Sequence, residues 1–121
     1  MSNSQAQGYE VVRTLEAAFY TSESIYQKER NTLFTRTWQY AGHLSQVANP
    51  GDYFSFEIAG QGLFCIRDNK NVLHTFYNVC QHRAHQIVEG QGEGKKTLVC
   101  PYHAWSYHLD GRFLRGPNTE V

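Results

Sequence analysis

After Trp38 apolar and polar residues alternate with a period of two, and each short apolar run ends in turn residues. The turns are Asn49-Pro50-Gly51-Asp52, Gly60-Gln61-Gly62, Asp68-Asn69-Lys70-Asn71 and Asp110-Gly111. A period of two puts successive side chains on opposite faces of a strand, and such punctuation belongs to antiparallel hairpins. Strands are predicted at 37–42, 53–59, 62–67, 72–77, 97–100, 104–109 and 112–115. Upstream the period changes: Ile25, Tyr26, Glu29, Arg30, Leu33 and Phe34 recur at near-helical spacing, Thr21 or Ser22 can cap, and Glu23 sits in the first turn. A helix is therefore predicted from Ser22 to Phe34. Residues 1–8 are small and polar and read as a disordered lead-in, 9–36 as a helical segment, and the glycine-rich, charged run Glu89–Lys96 as an exposed connection.

Composition strengthens the β reading. Eight tyrosines and seven phenylalanines, mostly in alternating runs, favour a sheet-rich core, so the fold class is mainly β. A chain of 121 residues is one domain's worth of core. Eleven basic and eleven acidic residues cancel and are scattered, which argues against a nucleic-acid or anionic-membrane surface. No apolar run approaches the roughly 20 residues of a membrane span, and MSNSQAQGYE is not built like a secretory signal. A cytoplasmic protein is expected.

Three cysteines, Cys65, Cys80 and Cys100, cannot make an even-numbered disulfide framework, so metal binding outranks disulfide bonding. Two motifs flank the glycine-rich connection: Cys80-Gln81-His82 and Cys100-Pro101-Tyr102-His103, with residues 83–99 between them. Each pairs one thiolate with one imidazole. Two of each suit either a tetrahedral zinc or a [2Fe-2S] cluster in which two histidines replace two cysteines on one iron. A structural zinc finger ordinarily brings two cysteines and then two helical histidines, whereas both pairs here are mixed. A mixed pair on each of two hairpin loops fits a cluster.

The runs Cys80-Gln81-His82-Arg83 and Cys100-Pro101-Tyr102-His103-Ala104-Trp105-Ser106-Tyr107, followed by Asp110-Gly111, resemble the signature of Rieske non-haem iron oxygenases, specifically the N-terminal domain of the large subunit. The likeness extends over about residues 19–117, through Phe34, Trp38, Gly42-His43, Pro50-Gly51-Asp52, Arg67 and Asn78-Val79-Cys80. Two positions depart from it: Ala84 and Ala104 stand where the family most often has glycine. The resemblance implies an antiparallel β-sandwich over 37–121 with a small cluster-binding subdomain at about 78–108, preceded by one or two helices. It implies a Rieske [2Fe-2S] cluster with Cys80 and Cys100 on the inner iron and His82 and His103 on the outer one. It also implies electron supply from an NAD(P)H-dependent reductase or a ferredoxin. The acceptor is then a catalytic domain or neighbouring subunit, His103 facing its iron, in a homo-oligomeric, trimeric parent. High-potential Rieske proteins clamp their loops with a disulfide; here the corresponding stretches carry His85 and Tyr102, so a potential at the low end of the Rieske range, roughly −150 to +300 mV, is expected.

The mononuclear iron of such oxygenases needs two histidines and a carboxylate, and no such triad is left over. His43 and His74 read as hydrogen-bonded strand residues, and His85 as shaping the first loop. His103 and His108 make an apparent HxxxxH that is rejected, because His103 belongs to the cluster set, no aspartate precedes it suitably, and a strand would turn the pair to opposite faces. Cys65 reads as a buried free thiol; Trp105, Tyr107 and Phe113 as packing under the loops; Arg83 equally as a support of the cluster region or a surface ion pair. Two functional readings follow: the relay domain of an oxygenase, cut off before its catalytic domain and prone to self-associate, or a free-standing Rieske ferredoxin. The helical Thr21–Phe34 extension and the HisArg pair favour the first.

Overall fold

The structure, a computed structural model, describes residues 13–117 and 119; the lead-in predicted at 1–8 and the start of the helical segment lie outside them. Two antiparallel sheets carry the fold. The first runs in the order β3-β2-β1-β4, from β1 (Tyr53–Ile58), β2 (Gln61–Arg67), β3 (Leu73–Tyr77) and β4 (Gln91–Gly92). The second joins β5 (Leu98–Val99), β6 (Ser106–Tyr107) and β7 (Phe113–Arg115) in chain order. Alternation along β2 sorts its side chains. Phe64 and Ile66 are buried against Leu98, Tyr107 and Leu109 of the second sheet region, in a core that also takes in Cys80, Val88 and Cys100. Cys65 faces the other way, forming a smaller core with Val47 and Phe54; it is buried and unpaired, as expected.

Outside the two motifs, three predicted elements change. Residues 37–42 form no strand: Trp38 is fully exposed, Tyr40 is 83% exposed, and the segment pairs with no sheet edge. It leads instead into a short 3-10 helix, Leu44–Val47, whose start is capped by His43: its Nδ1 accepts the Ser45 backbone N–H at 3.2 Å. His43 is thus a cap rather than a strand residue. The predicted helix begins at α2 (Glu23–Glu29), after a single turn at α1 (Ala18–Thr21), and widens into a π-turn over Arg30–Phe34. Thr32 Oγ1 donates to the Lys28 carbonyl at 2.6 Å, the kind of back-bonding that loosens a helical ladder. The third change is the glycine-rich connection, which contributes β4 to the free edge of β1.

That pairing depends on the Pro50-Gly51-Asp52 turn. The Gly51 carbonyl accepts the Lys95 N–H at 3.0 Å, and the Asp52 carboxylate accepts the N–H groups of Asn49 and Gly94 at 2.8 and 3.3 Å. Gly51 has φ +89°, and a Cβ on it would lie 2.5 Å from the Lys95 carbonyl oxygen, so only glycine lets the chains meet. The connection is therefore exposed but tied down, which holds the second motif in a fixed position relative to the first.

Candidate metal centre

The two motifs form loops of the same construction. In the first, the Cys80 N–H donates to the His85 carbonyl and the Ala84 N–H to the Cys80 carbonyl, both at 2.8 Å. In the second, the Cys100 N–H donates to the Trp105 carbonyl at 2.8 Å and the Ala104 N–H to the Cys100 carbonyl at 3.0 Å. Each loop closes through a left-handed residue, Ala84 at φ 54° and Ala104 at φ 59°. This tight closure consumes the ends of the strands predicted at 97–100 and 104–109, which shrink to β5 and β6. It also places His103 in a turn, so the strand argument against the HxxxxH pair does not apply; His108 closes the turn before β7 through its bonds to Arg112 and Gly111.

Asn78 anchors the first loop. Buried at 6% exposure, it donates to the Val88 carbonyl at 2.7 Å and accepts the N–H groups of Ile87 and Val88 at 3.0 and 3.1 Å. One side chain thus ties both ends of the loop together. It carries no charge and no metal-binding chemistry, and the only sequence signal for it was its place in the Asn78-Val79-Cys80 run.

The four candidate ligands differ in depth. Cys80 and Cys100 are buried, at 3% and 2% exposure, while His82 is exposed and His103 half-buried. The imidazoles of His82 and His103 meet edge to face with centroids 4.8 Å apart. Among the described residues no three His, Cys, Asp or Glu side chains gather around one point. Two buried thiols and two more exposed imidazoles in contact fit a two-iron group with two protein ligands per iron better than one tetrahedral ion.

The electrostatics suit metal-binding forms. Burial acts to raise the Cys80 thiol, but hydrogen bonding to Tyr107, to the His82 backbone, to Cys100 and to the Arg83 backbone outweighs it and holds the thiol below its usual value. Metals take the thiolate. Tyr107 responds in the opposite sense: burial and its contact with Cys80 push the phenol up to about 12, which keeps it a donor. Desolvation and the charges of His82, Arg83 and His85 hold the His103 imidazole below its ordinary value, favouring the neutral ring a metal requires. Arg83 makes no salt bridge among the described residues, so its influence is this charge effect.

Around the ligands lie aromatic rings whose roles the sequence did not disclose. Tyr107 Oη is 3.2 Å from Cys80 Sγ and accepts the Gln81 N–H at 3.1 Å. Trp105 stacks on His82, and Tyr102 lies against both His103 and His85. His74 is where β alternation predicted it, on β3, bonded at 2.9 Å to Asp68 in the β2–β3 turn.

The sequence profile of the Rieske [2Fe-2S] domain matches residues 37–121. The chain belongs to the Rieske [2Fe-2S] domain family. Its antiparallel sheets are the Rieske fold, and a Rieske domain is a holder of a [2Fe-2S] cluster. The carnitine monooxygenase oxygenase subunit of Escherichia coli K12 is 40% identical over 107 residues, covering 88% of this chain and 29% of its own. The chloroplastic choline monooxygenase of Spinacia oleracea is 36% identical over 111 residues, covering 92% of this chain and 25% of its own. Among solved structures, the apo quaternary ammonium Rieske monooxygenase CntA matches with a TM-score of 0.81 at 38% identity, covering 87% of this chain and 31% of its own. Naphthalene 1,2-dioxygenase from Rhodococcus sp. matches at 0.79 and 27% identity, covering 84% and 23%. This Rieske domain thus spans under a third of the length of these oxygenase relatives. No helix among the described residues is long and apolar enough to cross a membrane.

Proposed function

We propose that Cys80 and Cys100 hold the inner iron and His82 and His103 the outer iron of a Rieske [2Fe-2S] cluster. In this reading the domain relays single electrons within a Rieske non-haem iron oxygenase. The observation that carries it is the donor set: two buried thiols on two loops of identical hydrogen bonding, with two more exposed imidazoles in contact. Bound there, the cluster supplies one-electron exchange at a potential raised by replacing two thiolates with neutral rings. The chain's own residues do the rest. Tyr107 and the backbone N–H groups of His82 and Arg83 stabilise sulfur charge, the main core keeps water from the cysteines, and His82 and His103 present the site's edge to a partner.

By this reading 9–36 is a helical extension, 37–121 the Rieske domain and about 78–108 its cluster subdomain. An NAD(P)H-dependent reductase or a ferredoxin supplies the electrons, and a catalytic domain bearing mononuclear Fe(II) receives them, in a homo-oligomeric, trimeric parent. A solved relative, 39% identical, is described for carnitine oxidation and inter-subunit electron transfer, which supports an acceptor across a subunit boundary. Carnitine and choline monooxygenases among the relatives support a quaternary ammonium substrate for the parent. Cys65, the cysteine outside the proposed donor set, is unpaired, which fits a reducing compartment, the cytoplasm. His85 and Tyr102, in place of a clamping disulfide, support a potential at the low end of the Rieske range.

The test is absorption and electron paramagnetic resonance (EPR) spectroscopy of anaerobically purified protein. A red-brown protein whose reduced signal has an average g well below that of four-cysteine clusters is expected, lost in His103→Ala and kept in His108→Ala. A colourless protein, EPR-silent after reconstitution with iron and sulfide, overturns the reading in favour of zinc.

A further inference from the structure

A metal-bound histidine ordinarily has its other ring nitrogen hydrogen-bonded to a carboxylate or carbonyl, and that bond fixes the plane of the ring. Here the histidine rings that hydrogen-bond are those of His43 and His74, and among the described residues neither His82 nor His103 has such a partner. Something else must orient them. His82 is the more demanding case, because it is exposed.

Trp105 lies face to face with it, ring planes 8° apart and centroids 4.8 Å apart. The tryptophan comes from the opposite loop, and its carbonyl holds the Cys100 N–H, so the second loop reaches across to steady the first. The indole is itself fixed. Phe113 on β7 packs against it at 5.0 Å, and the chain comes close to it at Gly116, where a Cβ would lie 2.7 Å from indole Cδ1 and Nε1. An indole that stacks on an imidazole while touching a phenylalanine and approached closely by a glycine has little freedom to tilt. His103 is supported differently, by Tyr102 of its own loop at 3.8 Å.

We propose that Trp105 is a positioning residue: its stack sets the ring plane of His82 and covers one imidazole face, doing for the exposed ligand what a hydrogen bond does elsewhere, with Gly116 and Phe113 holding the indole in place. The inference rests on His82 being a cluster ligand.

The test compares wild type, Trp105→Ala, Trp105→Phe and Gly116→Ala at equal iron and sulfide content, read by the EPR line shape of the reduced protein and by the rate of cluster loss to an iron chelator. Trp105→Ala is expected to broaden and shift the g-values and to lose its cluster at least about tenfold faster, the scale of lost support around a metal ligand. Trp105→Phe, which can still stack, should restore most of both, and Gly116→Ala, which displaces the indole without removing it, should reproduce the alanine signature. If Trp105→Ala takes up no cluster, Gly116→Ala decides. Wild-type line shape and loss rate in either of these two variants, or a Trp105→Phe as disturbed as Trp105→Ala, overturns the proposal. Absence of a Rieske signal in the wild type would instead mean that the ligand reading itself is wrong.

Discussion

The Tyr107 hydroxyl lies 3.2 Å from the Cys80 sulfur, reaching from β6 under the first loop, and the same oxygen accepts the Gln81 N–H. With the phenol pushed up to about 12 and the thiol held down, tyrosine is the donor and sulfur the acceptor. A hydrogen bond to a cluster sulfur stabilises the more negative, reduced state. Tyr107→Phe should therefore lower the midpoint potential, by roughly 40 mV for a bond worth about 1 kcal/mol to a one-electron couple. Redox titration followed by EPR measures it, and an unchanged or raised potential would contradict the assignment.

Asn78 joins the two ends of the first loop with three hydrogen bonds in a buried setting. Asn78→Ala leaves the Ile87 and Val88 N–H groups without a partner, while the Val88 carbonyl keeps the Gln86 side-chain amide, a loss on the order of 2–4 kcal/mol. Denaturant unfolding should show that loss. Because the loop ends come apart, the variant should also hold substoichiometric iron, whereas Asn78→Asp, which keeps the two accepted bonds, should fall between.

Ala84 and Ala104 adopt the left-handed conformation that a Cβ opposes, at a cost of about 1–2 kcal/mol each. Replacing them with glycine removes that penalty and adds freedom to the unfolded chain, effects of opposite sign in which the first is larger. Ala84→Gly and Ala104→Gly should each raise the unfolding free energy, read by denaturant titration, by up to about 1 kcal/mol and leave the EPR signal intact. A loss of stability would show that the methyl groups make contacts that matter more than the backbone does.

Asp68 holds the β2–β3 turn, its carboxylate accepting the N–H groups of Lys70 and Val72 and pairing with His74. The His74 bond first, and the Val72 bond next, hold its carboxyl below the usual 3.8. A depressed folded-state pKa means that the unfolded chain binds the proton more readily. The stabilisation is therefore complete above 3.8 and disappears as pH falls through the lower folded value. Wild type should lose its stability advantage over Asp68→Asn as pH falls below about 3.8, measured by denaturant midpoints.

The candidate ligands were legible in the sequence because spacing is local: Cys80 and His82, and Cys100 and His103, each fit within a few residues that one turn must bring together. The central strands were legible for the same reason, since alternation in 53–58, 61–67 and 73–77 reflects one buried face. Segment 37–42 shows the limit. It carries the same alternation, but a strand needs an edge to pair with, and no edge reaches Trp38 or Tyr40. The reverse holds for Gln91–Gly92, which has no strand pattern and becomes one because β1 would otherwise leave its edge unpaired.

The supporting residues belong to this second class. Sequence placed Trp105 and Tyr107 under the loops as packing, and nothing local says that one ring stacks on His82 and the other bonds Cys80, more than twenty residues upstream. Sequence by itself determined the candidate donors, their spacing along the chain and its β character, because these follow from chemistry and periodicity within short windows. Only the tertiary structure decided which groups hold the donors in place, because ring stacking, buried hydrogen bonds and sheet edges are relations between segments that meet through the fold alone.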